Sequence, residues 1–134
     1  MKKRGCATSR PEAFISFRME DIWARDALMA YARDLNDAVQ FTDYSVHDPS
    51  DTSWKDRCKP RIARTKGTVV LIGRSTYLSE AVAWEIKETL DQRHRILGIH
   101  INDCVTCRVP NGLPALDVIR WDIGEIFSRL STWV

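Results

Sequence analysis

Thr68-Val69-Val70-Leu71-Ile72-Gly73, answered further along by Arg95-Ile96-Leu97-Gly98-Ile99-His100-Ile101, is the pair of runs that decides the fold. Short, nearly continuous apolar runs of this kind suit strands covered on both faces. A polar loop, Arg74 to Ser79, and a helical stretch from about Glu80 to Gln92 separate them. The connection is long enough for the helix that parallel strands need to cross over. Val82, Ile86 and Leu90 form the inward stripe expected of that helix. At about 100° per residue, Glu85 lies about 60° from Val82, beside the stripe rather than opposite it. A carboxylate there is either tied down by hydrogen bonds or held for chemistry.

Working outward, strand and helix signals alternate along the chain. Ala13-Phe14-Ile15-Ser16-Phe17 reads as a first strand, and Glu20 and Asp21 open a helix with Ala24, Leu28, Tyr31 and Leu35 inward. Val39-Gln40-Phe41-Thr42 reads as a second strand, and Asp43 to Ser53 as an exposed loop. Ser53 and Asp56 resemble a helix start, with Pro60 expected to end or kink that helix. After Asn102 to Leu116, which is rich in turn formers, Val118-Ile119-Arg120-Trp121 is a last strand. Asp122 caps a closing helix with Ile123, Ile126, Phe127 and Leu130 on one face. The expectation is an α/β fold: a flavodoxin-like open parallel sheet of about five strands with helices on both faces. Residues 1–11 are expected to be a flexible N-terminal segment and 12–134 a single domain.

Composition narrows the functional classes. The 134 residues are 44% hydrophobic and 28% charged, with net charge +2, ordinary for a globular domain. That balance is too mild to call for nucleic acid. No apolar run approaches the roughly 18 residues of a membrane span, and MKKRGCATSR lacks a signal peptide's apolar stretch. A cytoplasmic protein is expected, with Cys6, Cys58, Cys104 and Cys107 as thiols. Cys104-Val105-Thr106-Cys107 has the spacing of half a zinc site or a redox pair, but no second pair of ligands accompanies it. His47, His94 and His100 show no ligand spacing, and His100 is expected to be a satisfied structural histidine. Trp23, Trp54, Trp121 and Trp133 are expected as core or interface aromatics.

Ligands of open α/β sheets bind beyond the carboxyl ends of the strands. That rule selects Ser16, Phe17 and Arg18; Asp43, Tyr44 and Ser45; Gly73, Ser75 and Thr76; and Asn102 and Asp103. Glu85 belongs to the helix entered from the third-strand loop. Arg18 can pair with a diphosphate or, as a surface residue, with Glu20 or Asp21. Ser79 is expected to cap the helix. A phosphoacceptor receiver domain would need an Asp where the third strand ends in Gly73. Ser16-Phe17-Arg18-Met19-Glu20-Asp21 is not the phosphate loop of a flavodoxin.

Four stretches together resemble the TIR-like family of bacterial antiphage defence, especially the TIR subunit of Thoeris systems. They are Phe14-Ile15-Ser16-Phe17 with its helix, Phe41-Thr42-Asp43-Tyr44-Ser45, Gly67 to Gly73, and Ser79 to Ile86 with Ile96-Leu97-Gly98-Ile99. The resemblance implies an enzyme that cleaves NAD between nicotinamide and ribose, with Glu85 as the catalytic carboxylate. Taken with the strand-end rule, and with Phe17 or Tyr77 standing in for the missing pocket Trp, Ser16, Phe17, Arg18, Asp43, Tyr44, Ser75 and Tyr77 are the expected substrate-binding residues. NAD is then the substrate, with no further cofactor and no metal. The implied product is a cyclic ADP-ribose isomer that diffuses to a separate effector protein, and self-association of the chain is compatible with this. Ala81 stands where many such enzymes carry a Trp, four residues before the Glu. A non-catalytic TIR-type interaction module is the alternative.

Overall fold

The computed structural model describes residues 10–43, 53–101 and 106–133. Tyr44, Ser45, His47, Asn102, Asp103, Cys104 and most of the N-terminal segment lie outside the described residues. In chain order the elements are β1 (Glu12–Ser16), α1 (Ile22–Asp34), β2 (Gln40–Asp43), α2 (Trp54–Ala63), β3 (Gly67–Ile72), α3 (Glu80–Asp91), β4 (Arg95–His100), β5 (Val118–Arg120) and α4 (Ile123–Leu130). The strands form one sheet in the order β2-β1-β3-β4-β5, and all four pairings are parallel. The order reverses between β1 and β3, so the loops after those two strands diverge at the sheet's upper edge.

Side-chain alternation along the strands builds two cores. Ala13, Ile15, Val69, Leu71, Leu97 and Ile99 face α1 and α4, meeting Ala24, Leu28, Ile126 and Leu130. Val70, Ile72 and Ile96 face α3 through Val82 and Ile86, while Phe14 meets Cys58 and Ile62 of α2. β3 is buried at every position, as its near-continuous apolar sequence requires. Gly67 is forced by proximity: a Cβ there would lie 2.5 Å from the Arg95 carbonyl oxygen of β4.

Several local expectations are corrected. In α3 the buried face is Val82, Glu85, Ile86 and Thr89, while Leu90 is exposed. The helix is turned so that two polar residues face inward. Thr89 satisfies its hydroxyl with the Glu85 carbonyl at 2.7 Å and with Thr68 Oγ1 at 2.6 Å. In α1, Ala24, Leu28 and Ala32 are buried, and Tyr31 and Leu35 are exposed at the rim. α2 continues through Pro60 to Ala63. Proline deletes one backbone bond, and the burial of Cys58 and Ile62 offsets that loss. His100 is buried, but its Nδ1 has no partner, so it is not fully satisfied. Cys107 is disulfide-bonded, which corrects the expectation of thiols throughout. Other expectations match: Ser79 Oγ accepts the Val82 N–H at 3.1 Å, and Asp122 Oδ1 accepts that of Glu125 at 3.1 Å.

Candidate functional site

Ser16 is the last residue of β1 and points to the α2–α3 side of the sheet, as Phe14 does two residues earlier. Glu85, in the second turn of α3, is turned onto the same side. The Ser16 hydroxyl donates to Glu85 Oε1 at 2.5 Å. The Cys58 thiol of α2 donates to Glu85 Oε2 at 3.8 Å. Three elements therefore converge on one carboxyl group that is only 5% exposed. Among the described residues its hydrogen-bond partners are both side chains, and neither is a backbone amide.

Burial penalises the charged form and pushes the Glu85 carboxyl up to about 8. The hydrogen bonds from Ser16 and Cys58 pull the other way, and the nearby charge of Asp43 adds to the rise. Burial likewise holds the Cys58 thiol far above its ordinary range, reinforced by Glu85 beside it. Cys58 is therefore a neutral donor and not a thiolate nucleophile. At neutral pH Glu85 is poised with most of its population protonated, within reach of titration by a small change in surroundings.

Asp43 closes β2 next to β1, where its Oδ2 accepts from Arg25 of α1 at 2.8 Å. Arg61 of α2 donates to the Asp43 carbonyl at 3.1 Å. Arg25 also lies over the Phe17 ring, 5.6 Å from its centroid. Ser16, Phe17, Asp43 and Glu85 are thus linked at the carboxyl end of β1 and β2. Arg18 makes the surface pair foreseen as one of its two roles, with Glu20 at 3.3 Å, and also donates to the Ser75 carbonyl at 3.0 Å. Tyr77 is exposed and lines a different recess, with Asp21, Gly73 and Arg108. Tyr44 lies outside the described residues.

Cys58 and Arg25 belong to this arrangement and were not foreseen. Trp54, Cys58 and Ile62 recur at i, i+4, i+8, a helical stripe that would have turned Cys58 inward, but Pro60 argued against an intact helix. No comparable signal marks Arg25. Among the described residues no group of three or more His, Cys, Asp or Glu could hold a metal ion. No helix among them is long and apolar enough to cross a membrane.

Comparisons with known proteins agree with this architecture. The TIR domain of the Toll-related receptor TRR-2 from Hydra magnipapillata superposes with a TM-score of 0.62 at 17% identity, covering 87% of this chain and 91% of that one. A prokaryotic SEFIR domain superposes with a TM-score of 0.56 at 11% identity, covering 92% and 91% respectively. At such identities the likeness establishes a TIR-like fold. No curated protein sequence matches the chain. The family profile described as "Thoeris protein ThsB, TIR-like domain" matches residues 14–105, which include Ser16, Asp43, Cys58 and Glu85. With that match over more than half its length and a five-stranded TIR-like sheet, the chain belongs to the Thoeris ThsB TIR-like domain family of antiphage defence.

Proposed function

We propose that this protein cleaves NAD at the bond between nicotinamide and ribose, with Glu85 as the catalytic carboxylate. The observation that carries the reading is the setting of Glu85: a buried acid in a family of defence TIR domains, hydrogen-bonded among the described residues through side chains alone, at the carboxyl edge of the sheet. Heterolysis of the C1′–N bond sends its electron pair to the nicotinamide nitrogen, which leaves neutral from a cationic ring. No strong general acid is needed. The ribose develops oxocarbenium character, as in glycoside cleavage. A carboxylate fixed near that ring is favoured more by the transition state than by the ground state.

The substrate's own pyridinium charge favours the ionised form of Glu85, opposing the burial that keeps it protonated. The acid is thus matched to a cationic substrate and is neutral without one. A hydroxyl or base nitrogen of the ADP-ribose moiety, held against C1′, closes a cyclic ADP-ribose isomer. That product serves as the diffusible signal to a Thoeris effector. Ser16, Phe17, Arg18, Asp43, Tyr44, Ser75 and Tyr77 remain the proposed substrate contacts. Ser16 and Asp43 have the strongest support, through their coupling to Glu85.

Glu85→Gln keeps the shape and removes the charge. Incubated with NAD under conditions that trigger the parent, the variant is expected to release nicotinamide more slowly by roughly a hundredfold or more. Equal release by parent and variant would return Glu85 to a scaffolding role. If neither releases nicotinamide after triggering, the interaction-module reading takes over.

A further inference from the structure

A second recess opens where the loops after β1 and β3 part, on the other side of those strand ends from the Glu85 cluster. It has a volume of about 770 Å³, and its walls include Asp21, Trp23, Gly73, Arg74, Tyr77 and Arg108. That volume lies within the usual range for small-molecule sites. The place is the topological switch point of the sheet, where open α/β folds receive ligands.

Its chemistry is unbalanced in a specific way. Asp21 is only 7% exposed, yet its Oδ2 has no hydrogen-bond partner. The Thr76 hydroxyl favours the charged form of Asp21, but burial and Glu20 outweigh it and hold the carboxyl above its ordinary range; Oδ2 keeps no hydrogen bond of its own and can take a further donor. Gly73 makes room for it: a Cβ at that position would lie 2.5 Å from Asp21 Oδ2. Glu20 does not neutralise the arginines, because it is paired with Arg18. Arg74 and Arg108 have no carboxylate partner among the described residues. Arg108 lies instead over the Tyr77 ring at 5.0 Å. Trp23 and Tyr77 are 42% and 38% exposed, each offering part of an aromatic face.

The geometry points to a binding site for a nucleoside monophosphate or a nucleotide ending in such a group. Unpaired guanidiniums suit phosphate oxygens, which they grip by charge-assisted and often bidentate bonds. The aromatic faces suit stacking of a base. The Asp21 oxygen suits a ribose hydroxyl or an exocyclic amine, both of which donate. A peptide or a simple anion would use only part of this set. Tyr77 is the one residue shared with the substrate contacts proposed above; Asp21, Trp23, Arg74 and Arg108 are not among them, and the site does not depend on the protein's cleaving NAD.

The test titrates AMP, adenosine and inorganic phosphate into the full chain, followed by calorimetry and by amide chemical shifts. AMP is expected to bind parent and Glu85→Gln alike, shifting Gly73, Tyr77 and Asp21. Adenosine or phosphate alone should bind weaker by roughly tenfold or more, and so should AMP to the Arg74→Ala, Arg108→Ala double variant. Both arginines are exposed, so that variant is expected to fold. No AMP binding at millimolar concentration, or undiminished binding by the double variant, overturns the proposal. Phosphate binding as tightly as AMP also overturns it, leaving an anion site only.

Discussion

Ser16 Oγ and Glu85 Oε1 stand 2.5 Å apart although 69 positions separate them in the chain. The contact ties the tip of a central strand to the buried flank of α3. It joins the carboxyl edge of the sheet to the one acid that, among the described residues, is buried on this side. Burial makes this carboxyl titrate differently in folded and unfolded chains, with the Ser16 contact opposing the rise, so stability depends on pH.

The stability effect has a definite sign. Glu85 rises from an ordinary value of 4.5 in the unfolded chain to about 8 in the folded one. Below the lower value both states hold the proton, and its contribution is fully present. Between the two only the folded state holds it, so stability falls as pH rises and levels off above the upper value. Glu85→Gln cannot ionise and should lose that slope. Urea unfolding at pH 5 and pH 8 should show the variant gaining on the parent, by about 1–4 kcal/mol at the higher pH. An identical pH dependence for the two proteins would mean that Glu85 is not held in the neutral form.

Two glycines should respond to alanine with opposite signs. In Gly67→Ala the new methyl meets the Arg95 carbonyl oxygen at 2.5 Å and the Trp133 ring at 2.8 Å. The carbonyl belongs to a paired strand and cannot swing aside, so a loss of about 1–3 kcal/mol is expected. In Gly124→Ala the methyl finds only Asp122 Oδ1, at 3.4 Å, on the exposed side of α4. There the better helix former should stabilise by roughly 0.5–1 kcal/mol. Thermal unfolding of the two variants checks both signs.

The parallel sheet and its alternation with helices were legible because each follows from a pattern that burial on both faces imposes. The β3 run could only be a doubly covered strand, and the helix-length connection to β4 could only be a parallel crossover. The faces of the helices were less legible. Leu90 and Leu35 continue their apolar stripes on paper, yet both are exposed. In α3, Glu85 and Thr89 join the inward face because each finds a polar partner across the layer, a contact that periodicity does not encode. The same reason hid Cys58. Its partner is 27 positions away, and Pro60 suggested that no helix would carry it there. Glu85 itself was visible because a carboxylate beside an apolar stripe is an anomaly in one helix alone.

Asp43 raises Glu85 and also anchors Arg25, so Asp43→Asn should separate two effects. Removing the nearby negative charge lowers the folded-state value of Glu85, moving its titration towards neutrality. Losing the partly buried pair with Arg25 costs about 1–2 kcal/mol of stability, since Asp26 still engages that guanidinium at 2.9 Å. A variant that is less stable at every pH but titrates Glu85 earlier, followed by carboxyl NMR, is the expected result. An unmoved titration would show that Asp43 acts on Arg25 alone.

If the ionised carboxylate does the work, kcat/KM for NAD should rise with pH through about 8, the value for Glu85 in the free protein. Its two donors favour the charged form, so weakening or strengthening them should move the midpoint in opposite directions. Ser16→Ala removes the shorter bond, shifts the midpoint up and lowers the rate at pH 7 by roughly three- to tenfold. Cys58→Ser replaces a long thiol contact with a better hydroxyl donor and shifts the midpoint down. A purely structural Ser16 or Cys58 would change the rate by the same factor at every pH, leaving the midpoint in place. The pH–rate profiles of the two variants, measured by nicotinamide release, therefore decide whether these side chains set the charge of Glu85 or merely pack around it.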